Sequence, residues 1–243
     1  MNRKQILFTG GTGLLGSNMK KMFTDALFPT HQELDVSSYS QVIRYFADKE
    51  IQTLVHAAAF TSPPKVDTNP IEAINSNIIG TSNITKLCIE RNMRLVYIST
   101  DYVFRGDRGE YSEEDAVFPV NKYAWSKLGG ECAVQLCPNS LIIRTSFGSD
   151  IFPYESAFAD QYTSRVGVSD LTTKLLPIIE DQNLKGIIHI GANRRTVIDF
   201  ARRLDPSRKI GEMSIGDVNF NVPVDTSLNC SKYNKWLQES SNK

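Results

Sequence analysis

Short apolar runs alternate along the chain with longer stretches whose apolar positions recur every three to four residues. The runs "QILFT", "TLVHAAA", "RLVYIS", "SLIIR" and "GIIHIG" have the length of buried strands, and a further, poorly defined strand is expected at Ala26 to His31. Between them, Tyr39 to Lys49, Ile71 to Glu90, Tyr123 to Leu136 and Leu171 to Ile179 carry helical composition. Continuous apolar strands alternating with amphipathic helices predict an α/β fold, a doubly wound parallel sheet covered on both faces. Asn69-Pro70 supplies a cap and a first-turn proline, and Thr196-x-x-Asp199 resembles a capping box. Gly129 and Gly130 conflict with the helix around them. Each costs about 1 kcal/mol relative to alanine, which predicts a close backbone approach there.

Composition narrows the classes. The 243 residues balance 27 basic against 27 acidic side chains, so there is no electrostatic footprint for nucleic acid or an anionic membrane. No stretch reaches the roughly 18 apolar residues of a membrane span, and a soluble, cytoplasmic protein is expected. Cys88, Cys132, Cys137 and Cys230 lack C-x-x-C spacing and read as reduced, mostly buried thiols. His56 and His189 sit inside apolar runs as satisfied core histidines, so no metal site is expected.

The first chemistry lies in "TGGTGLLG". Gly10, Gly13 and Gly16 follow a strand and open a helix. A side chain there would keep the backbone from a pyrophosphate, while the helix N-terminus offers N–H donors and a positive dipole end. This is the turn of a dinucleotide-binding unit. The second strand ends in Thr30-His31 with no acid for ribose hydroxyls, which favours NADP while remaining compatible with NAD. Residues 1–147 are expected to form the dinucleotide-binding and catalytic domain. After Phe147 the pattern becomes irregular, so residues 148–243 are read as a small substrate lobe, with 165–205 packing back on the sheet.

"NKYAWSK" places Tyr123 and Lys127 on one helical face. Tyr45 and Lys49 repeat the spacing, but on the helix after the second strand, remote in chain order from the carboxyl ends of the central strands. Tyr123 and Lys127 instead follow "RLVYISTDYVF", whose end delivers Ser99, Thr100 and Asp101 to the crevice where open α/β sheets bind ligands. A free tyrosine has a pKa near 10, and a neighbouring ammonium favours its phenolate. Lys127 would thereby bring the phenol of Tyr123 into the range of general acid catalysis, with Thr100 orienting the carbonyl that is reduced.

In order, "TGGTGLLG", "HAAAFT", "NIIGTSNI", "ISTDYVF" and "NKYAWSKLGGE" resemble the extended short-chain dehydrogenase/reductase family. The resemblance implies a catalytic set of Thr100, Tyr123 and Lys127, with Lys127 also holding the nicotinamide ribose. It implies cofactor contacts from Gly10, Gly13, Leu14, Leu15, Gly16, Thr30, His31, Asp35, Val36, Ala57, Ala58, Ala59, Asn77, Tyr123 and Lys127, and substrate contacts from Thr61, Lys65, Asp101 and Tyr102. The implied activity is NAD(P)H-dependent reduction of a 4-keto-6-deoxy nucleotide sugar in deoxysugar or surface polysaccharide biosynthesis. An epimerase or epimerase-reductase with the same three residues, and a non-catalytic NADP-binding regulatory module, are the alternatives.

The resemblance covers about the first 145 residues well and then weakens. A long helix usual in the family is replaced by "FGSDIFPYESAFA", and Val222 stands where the family commonly has an arginine. Valine has no donor for a substrate pyrophosphate. Arg194 and Arg195 could compensate, although a solvated loop is the plainer expectation for them, as it is for the acidic stretch "RGDRGEYSEEDA", read as a lid. A homodimer is compatible with the family, and the missing helical surface bears on its contact.

Overall fold

The structure, a computed structural model, describes residues 2–241. Met1, in the expected first domain, and the last two residues of the expected lobe lie outside the described residues. The elements run β1 (Ile6–Thr9), α1 (Leu14–Met22), α2 (Tyr39–Tyr45), β2 (Thr53–His56), α3 (Pro63–Thr68), α4 (Pro70–Ala73), a π-helical stretch (Ile74–Gly80), α5 (Thr81–Glu90), β3 (Arg94–Thr100), α6 (Lys122–Val134) and β4 (Ser140–Thr145). There follow β5 (Phe147–Gly148), β6 (Ser156–Phe158), β7 (Tyr162–Thr163), β8 (Val166–Gly167), α7 (Val168–Glu180), β9 (Gly186–Ile190), β10 (Arg195–Thr196), α8 (Val197–Leu204), β11 (Gly211–Met213) and α9 (Ser231–Ser241).

The central sheet is parallel and five-stranded, in the order β1-β2-β3-β4-β9. β1, β2 and β3 are in register through Ile6, Thr53 and Arg94. Every residue of these three strands is buried, which is why their centres read as continuous apolar runs, with polar residues confined to the strand ends. The expected second strand is reduced to a single bridge, Leu27 beside Leu7. Its neighbours Pro29 and Thr30 turn the chain away at once, since proline offers no N–H to a ladder.

The chain packs as two units, each assembled from three segments of the sequence. One comprises residues 1–99, 122–142 and 172–186; the other comprises 100–121, 143–171 and 187–243. Within the second, Phe152, Ala157, Val197, Ile198, Phe200, Ala201 and Ile210 form a small apolar core. Thr196 caps α8 by accepting from the N–H of Asp199 at 3.1 Å.

The expected helix over 71–90 is one helical stretch of three kinds, begun by Asn69, whose side chain accepts from the N–H of Glu72. Its middle widens into the π form, a rare geometry that re-aims side chains at functional positions. The glycines of α6 meet this segment. A Cβ on Gly130 would lie 2.4 Å from the carbonyl oxygen of Asn77, and one on Gly129 would lie 3.0 Å from Ile78. Close helix approach is therefore what the two glycines provide.

Candidate active site

In the first unit, the glycine turn is built against the end of β2. Gly10 has φ of +72°, and a Cβ on it would stand 2.8 Å from the backbone nitrogen of Ala58 and 2.9 Å from the carbonyl of Ala57. A Cβ on Gly16 would stand 2.3 Å from the oxygen of Gly10. Gly13 precedes α1 without any side-chain cap, so the first-turn N–H groups of that helix, including those of Leu14 and Leu15, meet no capping side chain. A cradle closed to side chains and lined with backbone donors fits a dinucleotide pyrophosphate.

Behind the cradle lies a buried polar chain. Thr9 Oγ1 accepts from the N–H of Ala58 at 3.2 Å and pairs with His56 Nδ1 at 2.7 Å, while His56 Nε2 pairs with Thr81 Oγ1 at 3.0 Å. Burial, with Lys127 adding to it, pushes the His56 imidazole down to about 3, so it is neutral. It is the satisfied core histidine that its apolar run implied.

Towards the adenosine end, Val36 is buried with its side chain against Gly80, and Asp35 accepts from the N–H and hydroxyl of Ser37. His31 is exposed. Thr30 donates its N–H and its hydroxyl to the carboxylate of Glu33, at 2.8 and 2.9 Å. Sequence reasoning saw no acid at this strand end. Glu33 supplies one by turning back three residues, and the residue pattern T-x-x-E was the available signal. Ala57, Ala58 and Ala59 continue from β2, with Thr61 exposed just before α3 and Lys65 exposed on it.

Asn77 is fully buried in the π segment. Its Oδ1 accepts from the N–H of Phe60 at 2.8 Å, and its Nδ2 donates to the carbonyl of Phe60 at 3.0 Å and to Ser126 Oγ at 2.8 Å. The amide is thus spent inside the protein, tying the chain after β2 to α6. Ser126 lies on α6 between Tyr123 and Lys127, and its hydroxyl donates to the carbonyl of Tyr123.

Lys127 is the most telling side chain of this unit. It is 3% exposed, its ammonium donates to the carbonyl of Ile98 at 2.8 Å, and it lies 4.2 Å from the centre of the Tyr97 ring. Burial pushes it down to about 7, opposed by Glu131. Glu131 is itself buried and accepts from Ser99 at 2.6 Å. A lysine so placed is anchored to the end of β3 from the helix that carries Tyr123, which is half-buried. Tyr45 and Lys49 make a different pair: the ammonium lies 4.5 Å from the centre of the Tyr45 ring and bonds Asp48, an ordinary surface arrangement.

In the second unit, Thr100 Oγ1 donates to Asp101 Oδ1 at 3.1 Å, and Thr226 Oγ1 donates to Asp101 Oδ2 at 2.6 Å. Asp101 therefore spends its oxygens on hydroxyls of the protein. Burial pushes the acid up to about 6. The Tyr102 phenol accepts from Gln161 Nε2 at 3.0 Å.

Two expectations for this unit need correction. Arg194 is an exposed loop residue, as expected, but its guanidinium is not idle: it pairs with the buried carboxylate of Asp225 at 2.6 Å and lies 3.7 Å from the centre of the Tyr162 ring. Arg195 stands in β10 and donates to the carbonyl of Arg165 at 2.7 Å, which occupies it structurally. The acidic stretch is not a free lid either. Tyr111 is buried and stacks on Phe104, and Glu113 accepts from the N–H of His189. The buried aromatic and the backbone N–H left at a strand hold this loop down, and neither is visible in its charge pattern. Among the thiols, Cys88 and Cys137 are buried, Cys230 is partly so, and Cys132 is exposed because it lies on the outward side of α6. None of the four forms a disulfide, and no cluster of metal-binding side chains occurs among the described residues.

Residues 4–152 match the RmlD substrate binding domain family, more than half of the chain. The chain belongs to this family. Within the RmlD family, it is 31% identical over 150 residues to dTDP-4-dehydrorhamnose reductase of Aggregatibacter actinomycetemcomitans, covering 59% of this chain and 51% of that protein. It is also 32% identical over 142 residues to methionine adenosyltransferase 2 subunit beta of Rattus norvegicus, covering 54% of this chain and 42% of that protein. The chain thus spans about half the length of the curated relatives it matches. Among solved structures, a hypothetical dTDP-4-dehydrorhamnose reductase from Sulfolobus tokodaii superposes with a TM-score of 0.85 at 26% identity, over 95% of this chain and 94% of that one. No helix among the described residues is long and apolar enough to cross a membrane.

Proposed function

We propose that this RmlD-family chain is an NAD(P)H-dependent reductase of a 4-keto-6-deoxy nucleotide sugar. The observation that carries the reading is Lys127: a buried ammonium, four residues from Tyr123 on α6, held at the end of β3 in the same unit as the glycine cradle. A solvated lysine would not be kept at such a desolvation cost. The family and the relatives named as reductases support the same reading.

The residues divide the work as follows. Gly10, Gly13 and Gly16 admit the pyrophosphate to the start of α1. Reduced nicotinamide, when bound, supplies the hydride. Tyr123 donates its phenolic proton to the oxygen of the ketone as that oxygen gains charge, and Lys127 stabilises the phenolate left behind. Thr100 hydrogen-bonds the same oxygen and fixes its direction. Asn77 and Ser126 act on α6, holding the turn that carries Tyr123. Thr61 and Lys65 are assigned to the substrate side, and the cytoplasm, where such substrates and reduced dinucleotides occur together, to the location.

A second reading follows from the similarity to methionine adenosyltransferase 2 subunit beta, a subunit by name. It would make the chain a cofactor-binding module acting through a partner. The presence of Thr100, Tyr123 and Lys127 together favours the reductase. NAD(P)H oxidation with a 4-keto-6-deoxy dTDP-sugar, compared between the wild type and Tyr123→Phe, separates the two, and product stereochemistry separates reduction from epimerisation followed by reduction.

A further inference from the structure

Thr100, Asp101 and Thr226 form a closed chain of hydrogen bonds in the second unit, and they are 6%, 2% and 0% exposed. Besides its 3.1 Å contact with Asp101 Oδ1, Thr100 Oγ1 accepts from the backbone N–H of Tyr102 at 3.2 Å. A threonine hydroxyl has one hydrogen and two lone pairs, and an ionised carboxylate only accepts. While Asp101 is ionised, the single hydrogen of Thr100 is committed to it, and Thr100 can offer a ketone oxygen nothing but a lone pair. Lone pairs repel there.

One proton on Asp101 Oδ1 reverses this. The carboxylic acid then donates to Thr100, whose two lone pairs are filled by Asp101 and the N–H of Tyr102. The hydrogen of Thr100 is released towards a ligand. Thr226 continues to donate to Oδ2, so it holds the carboxyl in place in both forms.

We propose that Asp101 is a positioning residue whose neutral form turns Thr100 into the hydrogen-bond donor for the ketone, with Thr226 as the latch that orients the carboxyl. This rests on the reductase reading above. Three groups besides Thr226 and Thr100 face the acid. Arg165, in the turn between β7 and β8, favours the ionised form, the acid's own backbone N–H does the same, and the phenol of Tyr102 stands next in the chain. Burial outweighs them and pushes the acid up to about 6, so both forms are populated near neutral pH.

The test has two arms. The first follows kcat from about pH 5 to about pH 9 for the wild type, Asp101→Asn and Thr226→Val, with Tyr123→Phe as the control for the chemistry. The wild type should lose activity by about tenfold per pH unit above the titration of Asp101. Asp101→Asn, whose amide donates permanently to Thr100, should lose the limb set by Asp101 and keep only the later one set by Lys127, and Thr226→Val, losing a bond to the ionised form, should move the Asp101 limb to higher pH. The second arm follows the carboxylic C=O infrared band of Asp101 in the cofactor-free protein, identified by its loss in Asp101→Asn, and it should titrate with the same order of midpoints. An Asp101→Asn profile with the wild-type limb, or a carboxyl that stays ionised down to about pH 5, overturns the proposal. Absence of turnover in every variant would sink the reductase reading alone, because the infrared titration decides the state of Asp101 without it.

Discussion

Asn77 and Ser126 are joined by a 2.8 Å hydrogen bond that links the π-helical turn to the helix of Tyr123 and Lys127. The same amide closes two bonds with the backbone of Phe60, so three elements of the first unit share one side chain. Asn77→Ala strands the partly buried N–H and carbonyl of Phe60 and should cost about 2 kcal/mol of stability. Chemical denaturation measures it. Activity should fall further than stability explains, because α6 loses its register.

Gly10→Ala tests the cradle. Its positive φ and the backbone of Ala57 and Ala58 leave no room for a methyl group. Dinucleotide affinity should drop by at least about tenfold, read by titration of intrinsic fluorescence or by calorimetry. Unchanged affinity would place the cofactor elsewhere.

Lys127 makes the cofactor-free protein sensitive to pH. Its folded-state pKa is pushed down to about 7 from an ordinary value of 10.5. Between these values the unfolded chain binds more protons than the folded one, so stability rises with pH across that window and is lost again as pH falls through the lower value. Melting temperatures from pH 7 to pH 10 should climb more steeply for the wild type than for Lys127→Met. Parallel curves would mean that the ammonium is not desolvated.

Glu33 bears on the choice of dinucleotide. Its carboxylate is pinned on Thr30, and a fixed negative charge there opposes a ribose 2′-phosphate. Glu33→Gln should raise the ratio of NADPH to NADH efficiency severalfold, and steady-state kinetics with both cofactors measure it. A falling ratio would show that Glu33 does not face the ribose.

The strands and helices were legible because burial and periodicity are local: β1, β2 and β3 are buried at every position, and their centres read as continuous apolar runs. The glycines were legible because only a missing side chain fits against Ala58 or Asn77. Two things were not. The strand expected at Ala26 to His31 has strand-like residues, but the turn at Pro29 leaves only the Leu27 bridge. The ion pair of Arg194 was hidden because its partner, Asp225, lies 31 residues away in the sequence. Pairing of that kind is a property of the folded chain. Asn77 shows the same limit from the other side, since its residue type is common at such sites and its three partners are set by a π turn that composition does not announce.

On the proposed mechanism, Tyr123, served by Lys127, protonates a ketone reduced by a bound dinucleotide. The most direct measurement follows NADPH absorbance with a 4-keto-6-deoxy dTDP-sugar for the wild type and Tyr123→Phe, with cofactor affinity determined in parallel. Turnover should fall by about 100-fold or more in the variant while affinity stays within a few-fold. A Tyr123→Phe enzyme that consumes NADPH at the wild-type rate would contradict the account.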